Sequence, residues 1–214
     1  MNFLNFLKKK KAKEYAQEEY DTDYELKMSG LEAVLGKSHN MVGHAIIPFE
    51  IGGSVDMYYF PNGIKGTGFA TMELLDLDGK GTLPNRRGTY EFVAFTKLNY
   101  ESGGEKGTQM PFSLIERKIC RIFTGVGFYS REAVLNPGET CELPNGEGKE
   151  NTCLIFDYYG DFFVGKRKHH LLLIMEIFRS EMEFAMKNGS AKLFELLKDK
   201  GIYPYSDLDR EPVV

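Results

Sequence analysis

Cysteine is scarce in this sequence, and its scarcity limits the class of protein. The 214 residues contain three cysteines, Cys120, Cys141 and Cys153, and no two of them have the CxxC spacing of a metal or redox site. Small secreted proteins that depend on disulfides carry more cysteines, in even number. The sequence therefore predicts a cytoplasmic protein with reduced thiols, whose core is large enough to need no covalent cross-links.

Long apolar runs are also missing. The longest purely apolar run near the C-terminus, Leu171–Met175, is far shorter than the roughly 20 residues that span a bilayer. At the N-terminus the apolar residues precede the lysines, which is the reverse of the order in a secretory signal. We expect neither a transmembrane helix nor a signal peptide.

A basic surplus is absent as well, since the formal net charge is −4. This balance argues against nucleic acid as a partner, because non-specific binding to phosphates needs a basic face.

Charge is nevertheless uneven along the N-terminal segment, with lysines over residues 8–13 followed by acids over 14–23. Residues 1–27 are predicted to be a charged segment, partly disordered or docked. Its apolar side chains, which either dock on protein or contact a membrane surface, are Phe3, Leu4, Phe6 and Leu7. Deleting residues 1–10 should leave folding intact.

Strand patterns dominate the first half of the chain. Stretches rich in β-branched and aromatic residues alternate with short Gly and Pro turns, which is typical of strands joined in sequence order. The strands expected here are 42–49, 54–60, 67–75 and 89–97. We therefore expect these four to pair as an antiparallel array.

The second half mixes helices with strands. A helix is predicted after Pro111, short strands over 140–143 and 152–159, and a central apolar strand over 171–178. Ser180 with Glu183 matches a capping box, which predicts a helix from Ser180 to the Asn188-Gly189 stop, and a second helix opens at Ser190. The fold class is α+β, with a mixed, mainly antiparallel sheet packed with helices in one domain over 28–205, followed by a tail over 206–214.

No catalytic or metal-binding motif occurs in the sequence. The HExxH, P-loop, GxSxG and EF-hand patterns are all missing. We therefore expect no metal, no other cofactor and no enzymatic activity. Paired carboxylates offer an alternative, because Glu73 and Glu91 lie on predicted neighbouring strands with Asp56 nearby, and burial can turn such a group into a general acid. A hydrolase-like enzyme using these acids or a Cys–His pair is thus the second hypothesis.

Two segments resemble the Suppressor of fused domain, as found in bacterial proteins. The first is the strand-like stretch 66–75 followed by 88–97, and the second is the apolar strand 171–178 leading into the acidic helix 180–189 and a short Leu-rich helix. The resemblance covers about residues 30–200. The chain departs from the family where the apolar strand ends, because Glu176-Ile-Phe178 stands where members often have a proline and an acid.

The resemblance implies binding rather than catalysis. Bacterial members are single-domain proteins, and some are proposed to be immunity proteins that neutralise a toxin. The animal regulator has a further domain that closes on a transcription-factor peptide, and this chain is too short to hold it. The resemblance therefore implies a Suppressor of fused-like interaction module with a protein partner, while a membrane-surface adaptor acting through the N-terminal Phe, Leu and Lys residues is the third hypothesis.

Tyrosines and their acidic neighbours are the candidate partner-binding residues. Tyrosine combines rigid apolar area with a polar tip, which suits recognition. Strand alternation places Tyr58 and Tyr59 on opposite faces, so that one of them should be core and the other exposed. The predicted partner-binding set is Tyr58, Tyr59, Glu73, Tyr90 and Glu91.

Overall fold

Both halves of the chain meet in one seven-stranded sheet. The computed structural model describes residues 22–75, 81–100 and 110–214. The strands are β1 (Val42–Gly43), β2 (Met57–Phe60), β3 (Thr67–Ala70), β4 (Tyr90–Thr96), β5 (Thr140–Leu143), β6 (Thr152–Val164) and β7 (Arg167–Ile177). Their order in the sheet is β1-β2-β3-β4-β7-β6-β5. Every neighbouring pair is antiparallel except β4 and β7, so the predicted mixed, mainly antiparallel sheet is confirmed.

The parallel pair lies at the centre of the sheet. Tyr90 of β4 stands opposite His170 of β7, and the register continues to Val93 and Leu173. Every residue of β7 from His170 to Ile177 is buried. A parallel strand covered on both faces reads as a continuous apolar run, and this explains why the sequence indicated a central strand here.

Helices cover both faces of the sheet. They are α1 over residues 22–35, α2 (Pro111–Tyr129), α3 (Arg179–Asn188) and α4 (Ser190–Asp199), with a short 3-10 turn at Phe49–Ile51. Helix α2 packs on one face, where Phe123 joins the core around Phe92 and Ile174. Residues of α1, α3 and α4 pack on the other face, around Phe95 and Leu173. No helix within the described residues is long and apolar enough to cross a membrane.

Three predicted strands of the first half are clearly shorter than expected, and β2 begins at Met57 rather than at residue 54. β1 has only two residues, because the chain leaves the sheet for the 3-10 turn. β3 ends at Ala70 rather than at residue 75. The segment 71–75 turns away because its polar groups bind the carboxylate of Glu91, as described below. Helix α1 covers 22–35 and so includes the last residues of the predicted N-terminal segment. The rest of that segment lies outside the described residues.

The predicted capping box at Ser180 is wrong, because the N-cap residue is Phe178 and not Ser180. Helix α3 begins at Arg179, and the carboxylate of Glu181 accepts the N–H of Phe178 at 2.9 Å. The hydroxyl of Ser180 instead donates to the carbonyl of Val214 at 3.2 Å. Strand β7 runs to Ile177, so the helix starts immediately after it and places Glu181 in the third helical position. The acid that binds the cap is therefore Glu181, and Ser180 lies inside the first turn.

The C-terminal segment is tied to both the sheet and α3. The N–H of Ser206 donates to the carbonyl of Phe95 at 2.8 Å, and Asp207 accepts the N–H of Lys97 at 2.8 Å. Further along, the guanidinium of Arg210 donates to both oxygens of the buried Glu181, at 2.6 and 2.8 Å. Residues 206–210 thus belong to the packed structure.

Candidate functional site

Glu91 organises the segment that carries Glu73. Its fully buried carboxylate accepts the hydroxyl of Thr71 at 2.6 Å and the N–H groups of Leu74 and Leu75 at 3.1 and 2.9 Å. Burial raises the pKa of Glu91, while the charge of Lys27 and these donors oppose the rise. A buried carboxylate with three donors fixes the chain around it. Glu91 is therefore an anchor of this segment rather than a contact surface.

Glu73 borders a cleft of about 360 Å³ beside this anchor. One of its oxygens accepts the N–H of Asp56 at 3.1 Å. Burial raises the pKa of Glu73 to about 7, and the charges of Asp56, Glu91 and Glu50 add to the rise. The cleft residues come from α1, from the loop before β2, from the start of β2 and from the segment after β3: Asp23, Tyr24, Lys27, Ala45, Pro48, Phe49, Glu50, Asp56, Tyr58, Met72, Glu73 and Leu75.

Lys27, the cation in the cleft wall, already has an ion-pair partner and hydrogen-bond acceptors. The ammonium of Lys27 lies 3.2 Å from the carboxylate of Asp23, and it donates to the carbonyls of Met72 and Leu75. This geometry pins α1 to the segment after β3. The carboxylate of Asp56 lies 2.7 Å from the Nδ1 of His44. Glu50 and Glu73, which form no ion pair with a described residue, therefore set the charge of the cleft as acidic.

The tyrosines of the predicted site are buried. Tyr58 and Tyr59 point to opposite faces, as alternation predicts, and they join different core clusters. The expectation that one of them is exposed is wrong, because helices and loops cover both faces of the sheet at β2. Tyr90 is also core, with its ring 5.8 Å from that of Phe92. Of the predicted set, Tyr58 and Glu73 border the same cleft.

A loop beside the cleft presents three isoleucines to solvent. Residues 44–56 connect β1 to β2 through the 3-10 turn, and Ile46, Ile47 and Ile51 are 101, 55 and 76% exposed. We call these three side chains the isoleucine surface. Sequence reasoning missed it, because Ala45 to Phe49 reads as a strand whose apolar residues would be buried.

A second concave surface lies between α2 and β5. This edge groove has a volume of about 520 Å³, and its lining includes Val126, Leu143 and Phe156. Tyr129, 50% exposed, stands at its rim together with the exposed Val134. In the part of the chain that the structure describes, β5 pairs with β6 alone and forms an edge of the sheet. No sequence pattern predicts this groove, because its walls are separated along the chain.

Gly125 allows the close approach that shapes the groove. A Cβ atom at this position would lie 2.8 Å from a methyl carbon of Leu143. Cys141, on the same strand, is half-buried, and burial raises the pKa of its thiol. The thiol is therefore protonated near neutral pH and contributes apolar surface. No cluster of three potential metal ligands occurs among residues 22–75, 81–100 and 110–214.

Two solved structures share this two-sided α+β architecture. A chain of the Sufu–Fu complex crystal structure superposes with a TM-score of 0.58 at 16% identity, over 87% of this chain and 90% of that one. A Suppressor of fused homologue from Neisseria gonorrhoeae superposes with a TM-score of 0.56 at 11% identity, over 89% of this chain and 96% of that one. No protein-family profile and no curated protein sequence matches. The protein therefore has a Suppressor of fused-like fold, as its sequence predicted.

Proposed function

We propose that this protein is a non-catalytic interaction module that binds a partner protein through the edge groove. The observation that carries this proposal is the position of β5, an edge strand that runs beside a groove at the side of α2. An edge strand can accept an extended peptide through its main chain, while pockets beside it select the side chains of that peptide.

The lining of the groove defines the kind of peptide that it fits. Val134, Leu143 and Pro144 provide accessible apolar walls above the buried Val126 and Phe156, and the neutral thiol of Cys141 adds to them. Tyr129 at the rim offers a rigid ring with a polar tip, which is typical of residues that dominate binding energy. An extended segment with apolar side chains on one face meets these requirements. The solved Sufu–Fu complex supports the proposal, because it is a protein complex of a chain with this fold.

The proposal is tested on a partner captured by affinity purification. Tyr129→Ala should weaken binding of that partner by more than about 1 kcal/mol, while the melting temperature stays unchanged because the ring is half exposed. Phe163→Ala is the matched control, since this ring is 53% exposed at the far end of β6. Equal affinities of wild type and Tyr129→Ala would place the binding surface elsewhere.

We further propose that the partner is a toxin that this protein neutralises in the cytoplasm. The net charge of −4 supports a basic partner, because complementary charge speeds association, and the free thiols suit a reducing compartment. Co-expression with a toxin encoded beside this gene should restore growth, and Tyr129→Ala should reduce the rescue. Undiminished toxicity in the presence of the wild-type protein would contradict the immunity role. The groove proposal would still be tested separately, by the binding assay.

A hydrolase-like activity is a second candidate, favoured by the carboxylates in the cleft. Glu73, with its pKa raised to about 7 and Asp56 beside it, holds a proton close to neutral pH, as a general acid must. A screen with generic ester and phosphoester substrates tests this candidate. Turnover that Glu73→Gln abolishes would support it, and turnover that survives the substitution would remove Glu73 from any mechanism.

A further inference from the structure

The isoleucine surface concentrates exposed apolar side chains in one loop. Ile46 is fully exposed and Ile51 is three-quarters exposed. Three exposed isoleucines within six residues of one loop, beside a polar cleft, are typical of interaction sites. The edge groove lies on other elements, β5 and α2, so this surface is separate from the one proposed above.

The loop is held in a shape that keeps the isoleucines outside. Phe49 is buried between them, with its ring 4.7 Å from that of Phe128 and the guanidinium of Arg131 4.2 Å above it. A Cβ on Gly127 would lie 2.9 Å from the Phe49 ring, so the glycine leaves room for this insertion. On the other side, Asp56 accepts the N–H of Ala45 at 2.8 Å. The apolar surface is therefore preformed.

Acidic groups belong to the loop that carries the isoleucine surface and to the cleft beside it. Glu50 lies within the same loop, and Asp56 and Glu73 line the cleft that the loop helps to form. A segment that carries apolar side chains followed by several cations would match both features, because its apolar part covers the isoleucines and its cations meet the carboxylates. A second copy of the chain fits poorly, since a twofold contact would place the same carboxylates opposite each other.

The chain itself contains a segment with this chemistry. Residues 3–7 supply two phenylalanines and two leucines, and residues 8–13 supply five lysines. The cleft is within reach, because Asp23 and Tyr24 of α1 line it and Lys13 lies only nine residues before the first described residue. Nine residues can span at most about 30 Å. We propose that the isoleucine surface and the acidic cleft bind residues 3–13 of the same chain.

Limited trypsin digestion of the full-length protein tests this proposal. Trypsin cleaves after lysine, so docking should slow cleavage within residues 8–13 relative to a synthetic peptide of residues 1–21. The double variant Ile46→Ser/Ile51→Ser should speed that cleavage by about tenfold if the apolar contact contributes about 1.4 kcal/mol. Glu73→Gln should also speed it, because one acidic partner of the lysines is lost.

Matched variants control for general effects of the substitutions. Met186→Ser removes an equally exposed apolar side chain from α3, and Glu195→Gln removes an exposed carboxylate from α4. Both should leave cleavage at residues 8–13 unchanged. The isoleucine, Met186 and Glu195 variants should share the melting temperature of the wild type, since the replaced side chains are solvent-exposed.

Three results would overturn the proposal. The first is cleavage of the wild type as fast as that of the free peptide. The second is slow cleavage that neither the isoleucine nor the Glu73 variant accelerates, which would mean that another surface protects the lysines. The third is protection that increases with protein concentration, which would assign the surface to a second copy of the chain.

Discussion

At the scale of the residue, Glu73 makes stability depend on pH. Its pKa is about 7 in the folded protein, against an ordinary value of 4.5, because of burial and nearby carboxylates. The folded state therefore holds this proton more tightly than the unfolded state, and stability from Glu73 is lost as pH rises from about 4.5 to 7. Glu73→Gln should be more stable than the wild type at pH 8, by about 1 kcal/mol after allowance for solvent screening, and equal to it near pH 4.5. Urea unfolding at both pH values measures this, and a pH-independent difference would contradict it.

Glu91 gives a second prediction at the same scale. Glu91→Ala leaves the N–H groups of Leu74 and Leu75 without their acceptor in a buried place. The free energy of unfolding should fall by about 3 kcal/mol. Glu195→Ala on the exposed face of α4 is the control and should change little. A loss below about 0.5 kcal/mol for Glu91→Ala would mean that water replaces the carboxylate at no cost.

At the scale of the element, the start of α3 separates two neighbouring residues. Glu181 is buried and binds Phe178, Arg210 and the N–H of Val213, whereas Ser180 is exposed. Glu181→Ala should destabilise the protein by about 3 kcal/mol or more, because it leaves a nearly buried guanidinium unpaired. Ser180→Ala should stay within about 0.5 kcal/mol of the wild type. Denaturant unfolding of both variants measures the two changes in the free energy of unfolding. Comparable losses of stability would show that Ser180 caps the helix after all.

The elements also show where sequence reasoning succeeds. The strands, α2 and the last two helices were predictable, because apolar periodicity and turn residues are local signals. The segment 71–75 was not, because its path depends on Glu91, which lies 16 to 20 residues further along the chain. The alternation of Tyr58 and Tyr59 was predicted correctly, but a pattern within one strand cannot show that both faces are covered. The edge groove and the isoleucine surface likewise require tertiary contacts.

At the scale of the whole molecule, the sheet makes the two halves of the chain depend on each other. Strands β1 to β4 reach the rest of the sheet through the pairing of β4 with β7. Breaking that pair exposes the core on both faces, so we expect one cooperative unfolding transition. Circular dichroism and tyrosine fluorescence should report the same midpoint in urea. Two separate midpoints would show that the halves have independent cores.

The same pairing gives synthesis on the ribosome a particular timing. About 70 residues separate the end of β4 from the start of β7, and translation at about 5–20 residues per second takes roughly 4–14 seconds to add them. Throughout that interval the hydrogen-bonding edge that β4 later shares with β7 has no native partner. An unpaired strand edge is a template for association with other chains. The newly made N-terminal half is therefore most vulnerable to aggregation, and most in need of a chaperone, in the seconds before β7 emerges.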